Sequence, residues 1–180
     1  ETFEQLADYI IMLYEAKLIV GVALAGLEPG NPVELHKKTF RRFRDAGLGI
    51  EIHAGEWSGP ESVWEALEHG FPNRIGHGVS IFKDKKLLKQ IQREKIHIEM
   101  CPTSNVKTGS VKSIEKHPVK LAKKLDLNFS INTDDPGPFR CNMASEYQLL
   151  TKTFGFQKED FEKIKVNALN ARFQPKLRYL

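Results

Sequence analysis

Leu48-Gly49-Ile50-Glu51-Ile52-His53-Ala54-Gly55-Glu56 is a short apolar run that ends in polar, chemically reactive side chains. Three further motifs also follow short apolar runs: Gly76-His77-Gly78, Cys101-Pro102-Thr103-Ser104-Asn105 and Asn132-Thr133-Asp134-Asp135-Pro136. In a parallel α/β sheet the carboxyl ends of all strands point the same way, so residues far apart in sequence can meet in one pocket. The four motifs therefore predict one active site at one edge of such a sheet.

Apolar runs alternate with helical patterns along the whole chain, which is typical of repeated β-crossover-β units. Strands are predicted over 18–24, 48–52, 74–77, 96–100 and 127–131. Helices are predicted over 3–14, 32–46, 61–69, 85–94, 118–124, 143–153 and 158–170, with Ser58 and Glu61 as a capping box for the third. An open doubly wound sheet is the alternative, but no Gly-x-Gly-x-x-Gly loop follows the first strand.

Composition indicates a globular protein without a membrane or nucleic-acid partner. The chain has 180 residues, 41% of them hydrophobic, and no apolar run long enough to span a membrane. Residues 1–16 lack the features of a secretory signal, and Cys101 and Cys141 are too far apart for a disulfide framework, so we expect reduced thiols and a cytoplasmic setting. The net charge is +4, but lysines such as those in 83–89 are scattered over helical faces, which favours solvation over nucleic-acid binding.

The polar residues at the strand ends each allow a chemical and a structural interpretation. His53 can bind a metal through its neutral imidazole, or it can be a structural histidine. Glu56 can transfer protons or simply cap the following turn. His77 lies between two glycines, where the backbone can approach a ligand closely, or where a tight turn carries an incidental histidine. Asp134 and Asp135 point apart on an extended strand, or they form an Asp-Asp-Pro turn.

The four motifs, in this order, resemble those of the adenosine deaminase family of metal-dependent hydrolases, over about residues 20–173. The pair His-Ala-Gly-Glu with Asn-Thr-Asp-Asp-Pro is the most specific part of the resemblance. It implies a (β/α)8 TIM barrel, of which this α/β chain resembles strands 4 to 8 with their helices. Residues 1–180 would then be the carboxyl-terminal part of a single barrel domain.

The resemblance also implies roles in the hydrolysis of adenosine to inosine and ammonia. His53 and Asp134 would bind zinc, and Asp134 would help to deprotonate the attacking water. Glu56 would deliver a proton to the purine ring, while His77 would stabilise the water. Asp135 and the backbone amide of Gly26, after the first strand, would contact purine nitrogens, although a glycine there is also ordinary turn chemistry.

Two departures from the family pattern stand out. The family's first strand carries a His-x-His pair of zinc ligands that this sequence lacks, and Ala23 stands where the family usually has an aspartate. We therefore expect the chain to need the amino-terminal part of a barrel as its partner and to be inactive alone. A non-catalytic chain used for binding or assembly, or a deaminase of another aminopurine such as adenine or a modified adenosine monophosphate, are the alternatives.

Overall fold

Five short apolar runs form the five strands of one parallel sheet. The structure is a computed structural model that describes residues 3–174. The strands are β1 (Gly21–Leu24), β2 (Gly49–Ala54), β3 (Arg74–His77), β4 (His97–Met100) and β5 (Phe129–Ile131). They pair in parallel in sequence order, β1-β2-β3-β4-β5, which confirms the predicted parallel α/β sheet.

Helices connect successive strands, as the alternating pattern predicts. They are α1 (Phe3–Glu15), α2 (Lys37–Ala46), α3 (Pro60–Glu65), α4 (Lys85–Glu94), α5 (Pro102–Lys107), α6 (Val119–Lys124), α7 (Pro136–Phe139), α8 (Met143–Phe154) and α9 (Lys158–Asn170). A π-helical turn, Ala66–Gly70, extends α3, and 3-10 turns lie at Val33–His36, Ile81–Lys83 and Ile114–Lys116. None of the helices in residues 3–174 is long and apolar enough to cross a membrane.

The core lies between one face of the sheet and the helices. Side chains alternate between the two faces of a strand, and in β2 every second residue is buried. The buried strand residues are Ile50, Ile52, Ala54, Ile75, Ile98, Met100, Phe129 and Ile131, and they pack against helix residues that include Phe40, Phe43, Leu87, Ile91, Val119 and Ile164. The other face of the sheet, called here the inner face, carries the polar alternate residues of the same strands.

An ion-pair network crosses the inner face. The Arg74 guanidinium on β3 lies 3.3 Å from Glu51 on β2 and 3.2 Å from Glu99 on β4. Burial raises the pKa of Glu99 to about 7, and the neighbouring Glu51 carboxylate adds to the shift. Three adjacent strands are therefore cross-linked through one arginine.

A late residue of the chain packs beneath the first two strands. The ring of Phe173 occupies the space where side chains at Gly21 and Gly49 would lie, since an added Cβ at Gly21 would come within 2.5 Å of that ring. The Arg74 guanidinium also stacks on the Phe173 ring, 3.7 Å from the ring centroid. Gly21 and Gly49 must therefore be glycine because the Phe173 ring approaches them closely, and not because of their backbone angles.

Some predicted details differ from the structure. The first strand begins at Gly21 and not at residue 18, because α1 ends in a turn and Leu18 is 72% exposed. The predicted Ser58–Glu61 capping box is wrong: the N-cap is Gly59, whose amide donates to Glu61, while the Ser58 amide donates to Glu28. The short helices α5 and α7, each beginning at a proline, were not predicted. Residues 1, 2 and 175–180 of the predicted 1–180 domain lie outside the described part.

Candidate active site

Side chains from three strand ends meet at the carboxyl edge of the sheet. His53 belongs to the end of β2, His77 to the end of β3, and Asp134 follows β5. These three residues line one cavity of about 310 Å³, together with inner-face residues such as Glu99 and Cys101. Glu56 lies beside them, with its Oε2 3.5 Å from Nε2 of His77. The parallel topology has therefore brought together four of the predicted site residues.

The backbone at two of these positions adopts a left-handed conformation that favours glycine. His77 has φ 64° and Asp134 has φ 57°. At His77 the amide of Gly78 donates to the carbonyl of Gly76 at 2.9 Å, which closes a three-residue turn. Such conformations cost free energy and are often found at functional sites, because the surrounding structure must hold them in place.

His53 and His77 contact each other edge to face. Their ring centroids lie 4.6 Å apart at 86°, and Nε2 of His77 lies 3.3 Å from Nδ1 of His53. Gly76 pairs with His53 in the sheet register and makes this possible, because a Cβ at Gly76 would come within 2.5 Å of the His53 ring. Burial lowers the pKa of both histidines, so both rings are neutral near pH 7.

The Glu56 carboxylate is held in a largely buried hydrogen-bonded position. Its Oε1 accepts hydrogen bonds from Nδ2 of Asn105 at 3.1 Å and from the Thr108 hydroxyl at 3.2 Å. Its side chain is 9% exposed, and burial raises its pKa above the usual glutamate range. A carboxyl group with a raised pKa can hold and deliver a proton closer to neutral pH.

The two aspartates have different surroundings. Asp134 accepts a hydrogen bond from the buried Ser104 hydroxyl at 2.6 Å, which orients one carboxylate oxygen. Both aspartates are exposed, and Asp135 directly precedes α7, whose first turn it does not cap with its side chain. The backbone is not extended here, because β5 ends at Ile131 and Asp134 has a left-handed conformation, so the structure has the Asp-Asp-Pro turn and not the extended strand.

Gly26 lies in the loop after β1, with φ 108°, a conformation that glycine adopts readily. It lines a second cavity, of about 430 Å³, next to the first. His53 lines both cavities, so it stands between Gly26 on one side and Asp134 on the other.

Glu28 is a residue of this site that the sequence reasoning missed. Its carboxylate accepts hydrogen bonds from four consecutive backbone amides, those of residues 55 to 58, and from the Ser62 hydroxyl. The amide of Glu56 is one of the four, at 3.1 Å. Glu28 thus fixes the loop that carries Glu56. Its only sequence signal is a carboxylate in the loop after a strand, which is too common to be informative.

Asn105 and His117 also contact the predicted residues. Asn105 is fully buried at the middle of α5 and touches both Glu56 and His77. His117 belongs to none of the four sequence motifs and is buried, with 3% of its surface exposed. Its ring forms a hydrogen bond with the Asn105 side chain, so His117 contacts the site through Asn105.

The donor set fits part of a zinc site. A neutral imidazole and a carboxylate oxygen, as in His53 and Asp134, are both common zinc ligands. Within residues 3–174, however, no group of three or more His, Cys, Asp or Glu side chains is arranged to hold a metal ion. Catalytic zinc sites usually have three protein ligands or more, so His53 and Asp134 alone would form an incomplete site.

Comparisons with known proteins identify relatives of the whole described fold. A family model described as adenosine deaminase matches residues 1–178. An adenosine deaminase from Shewanella denitrificans is 39% identical over 155 residues, which cover 86% of this chain and 47% of the relative. The chain thus spans about half the length of the curated relatives it matches.

Solved structures support the same assignment. The N6-methyl-AMP deaminase from Arabidopsis thaliana superposes with a TM-score of 0.85 at 26% identity, covering 98% of this chain and 52% of that one. An adenine deaminase from Arthrobacter aurescens gives a TM-score of 0.84 at 26% identity, covering 96% of this chain and 54% of that one. These matches, with the sequential parallel strands, confirm the predicted partial (β/α) barrel.

Proposed function

Because the chain belongs to the adenosine deaminase family, we propose that it carries part of the active site of a zinc-dependent enzyme that hydrolyses adenosine to inosine and ammonia. The observation that carries the proposal is the meeting of His53, Glu56, His77 and Asp134 at one edge of the sheet. Their order and spacing match the family motifs, and a purely structural role requires no such set of titratable groups in one place.

Each residue has a role that its surroundings can support. His53 and Asp134 would hold the zinc ion, and the bound metal would lower the pKa of water so that it ionises near neutral pH. Glu56 donates its proton to the purine ring nitrogen beside the carbon under attack, which its raised pKa favours. His77 forms a hydrogen bond to the attacking oxygen.

Substrate positioning falls to groups on either side of His53. The Gly26 amide and the exposed Asp135 carboxylate bind nitrogens of the purine ring. Purine salvage in the cytoplasm is the setting in which such an activity would operate.

The two edges of the sheet support a partner for this chain. Within residues 3–174, β1 and β5 each pair on one side only, and their other backbone groups can hydrogen-bond to further strands. We propose that an amino-terminal barrel segment, joined to this sequence or supplied separately, pairs with both edges and adds the missing zinc ligands. The isolated chain then has negligible activity.

The test uses this sequence together with the amino-terminal half of an adenosine deaminase relative, co-expressed or fused. Loss of the adenosine absorbance should require both parts, stop on addition of a zinc chelator and return with zinc. Glu56→Gln should abolish turnover, whereas Glu115→Gln, an exposed glutamate, should not change it. Turnover that survives Glu56→Gln would exclude the proposed proton transfer, and robust turnover by the isolated chain would exclude the shared site.

A related aminopurine is the second candidate substrate. The structures of an adenine deaminase and an N6-methyl-AMP deaminase superpose on almost the whole chain. The same reconstituted sample should therefore be given adenosine, adenine and N6-methyl-AMP in parallel. Zinc-dependent turnover of adenine or N6-methyl-AMP in preference to adenosine would replace the first candidate. No turnover of any of them in a folded, zinc-loaded sample would favour a non-catalytic role.

A further inference from the structure

His117 has a hydrogen-bonding pattern that fixes the position of its proton. Its Nδ1 lies 3.1 Å from the backbone nitrogen of Val119. A backbone N–H can only donate, so Nδ1 must accept and carries no proton. Burial lowers the pKa of His117 to about 3, so the ring is neutral and its single proton lies on Nε2.

The proton on His117 in turn orients the amide of Asn105. Nε2 of His117 lies 3.2 Å from Oδ1 of Asn105 and donates to it. The oxygen and nitrogen of an asparagine amide must be assigned from their partners, and here a certain donor faces the oxygen. The Nδ2 group of Asn105 therefore points the other way, to Glu56 Oε1 and His77 Nδ1, each at 3.1 Å.

The amide of Asn105 then fixes the tautomer of His77. Since Nδ2 can only donate, Nδ1 of His77 accepts and is unprotonated. A neutral His77 thus carries its proton on Nε2, which faces the cavity, 3.3 Å from His53 and 3.5 Å from Glu56. The ring presents an N–H to the site and not a lone pair.

We propose that His117, acting through Asn105, is a positioning residue that holds His77 as a hydrogen-bond donor to the cavity and holds Glu56 in place. Both groups then act on the same side of the site, His77 by donating a hydrogen bond and Glu56 by delivering a proton. His77 is not the base that takes a proton from water. The part of the proposal that concerns the reaction rests on the proposed function, whereas the tautomers do not.

Long-range nitrogen–proton NMR correlation of the histidine rings tests the tautomers directly. In the wild-type chain, labelled with ¹⁵N and measured near neutral pH, His77 and His117 should both show a protonated Nε2 and an unprotonated Nδ1. His77→Gln and His117→Gln assign the two rings by loss of their signals. A protonated Nδ1 on either ring in the wild type would overturn the proposal, whether or not the protein has deaminase activity.

Variants test whether the order runs from His117 to His77. Asn105→Asp replaces the donating amide by an acceptor, so His77 should switch to a protonated Nδ1. His117→Leu removes the donor that orients Asn105, so His77 should show a mixture of both tautomers, whereas His117→Gln keeps a donor and should preserve the wild-type pattern. An unchanged His77 spectrum in folded Asn105→Asp and His117→Leu would refute the proposal that His117 sets the His77 tautomer through Asn105.

His97 provides a matched control. It is also a buried histidine with two side-chain partners, Asn128 and Ser130, but it does not bond to Asn105. His97→Gln should leave the His77 pattern unchanged.

In the reconstituted deaminase, His117→Leu should lower kcat by about 10-fold to 100-fold with KM little changed, while His117→Gln should restore most of the kcat. An equal loss in both His117 variants would argue for packing alone.

Discussion

Removing the carboxylate of Glu28 should destabilise the protein and release the loop that carries Glu56. In Glu28→Ala, the amides of residues 55 to 58 and the Ser62 hydroxyl lose their common acceptor. A hydrogen bond to a charged group contributes about 1.5 to 3 kcal/mol, but the exposed Trp57 amide can bond to water instead. The other four donors are only part-buried and can also regain hydrogen bonds to water, so we expect the free energy of unfolding to fall by about 2 to 4 kcal/mol, less than the sum of four separate bonds.

Two measurements separate this effect from a general loss of stability. Urea unfolding gives the free energy of unfolding, and native-state hydrogen exchange should show faster exchange at the amides of residues 55 to 58 than at the strand amides. Glu28→Gln keeps one acceptor oxygen and should lie between wild type and Glu28→Ala. Glu68→Gln, at an exposed glutamate, should change stability by less than about 0.5 kcal/mol.

In the reconstituted deaminase, a loosened loop should misplace Glu56, and a displacement of about 1 Å can cost about 100-fold in rate. The reasoning would be refuted if Glu28→Ala left both the unfolding free energy and the exchange of these four amides unchanged.

Other parts of the sheet give further predictions. In the reconstituted deaminase, Gly76→Ala should displace the His53 ring and weaken the zinc affinity, measured by calorimetry, by about 10-fold. Gly137→Ala, where an added Cβ meets open space, should bind zinc as the wild type does. The folded protein keeps a proton on Glu99, with its pKa of about 7, over a range where the unfolded chain releases it. The free energy of unfolding, measured by urea titration, should therefore fall as the pH rises from about 4.5 to about 7. Glu99→Gln should lack this pH-dependent fall, and the same pH profile in the variant as in the wild type would contradict the assignment to Glu99. Phe173→Ala should lower the unfolding free energy by about 1 to 3 kcal/mol, because the ring fills the space beside two glycines and is half-buried; Phe173→Leu should recover part of it, and no loss in Phe173→Ala would show that the contact is unimportant.

The sequence could predict the strands and the residues that follow them because both leave local patterns. An apolar run that ends in polar residues indicates a strand end, and parallel topology alone then brings His53, His77 and Asp134 to one edge. A tight turn was one of the two alternatives that the glycines around His77 offered, and the structure has such a turn. These features depend on near neighbours in the chain or on the regular geometry of a sheet.

The supporting contacts were not predictable because they join residues far apart in irregular segments. Glu28 lies in the loop after β1, 27 residues before the first amide that it accepts from. It also explains the wrong capping box, since the Ser58 amide bonds to Glu28. His117 follows a 3-10 turn with no periodic pattern, so nothing in the sequence distinguished it from other buried histidines.

The place of the Phe173 ring under Gly21 and Gly49 has a consequence for how the molecule assembles. During synthesis the first two strands emerge long before residue 173, so they can pair while the gap beneath them is still empty. Packing beneath β1 and β2 is thus completed only when residue 173 arrives, and a nascent chain stalled before that residue would leave the space beneath these two strands unfilled.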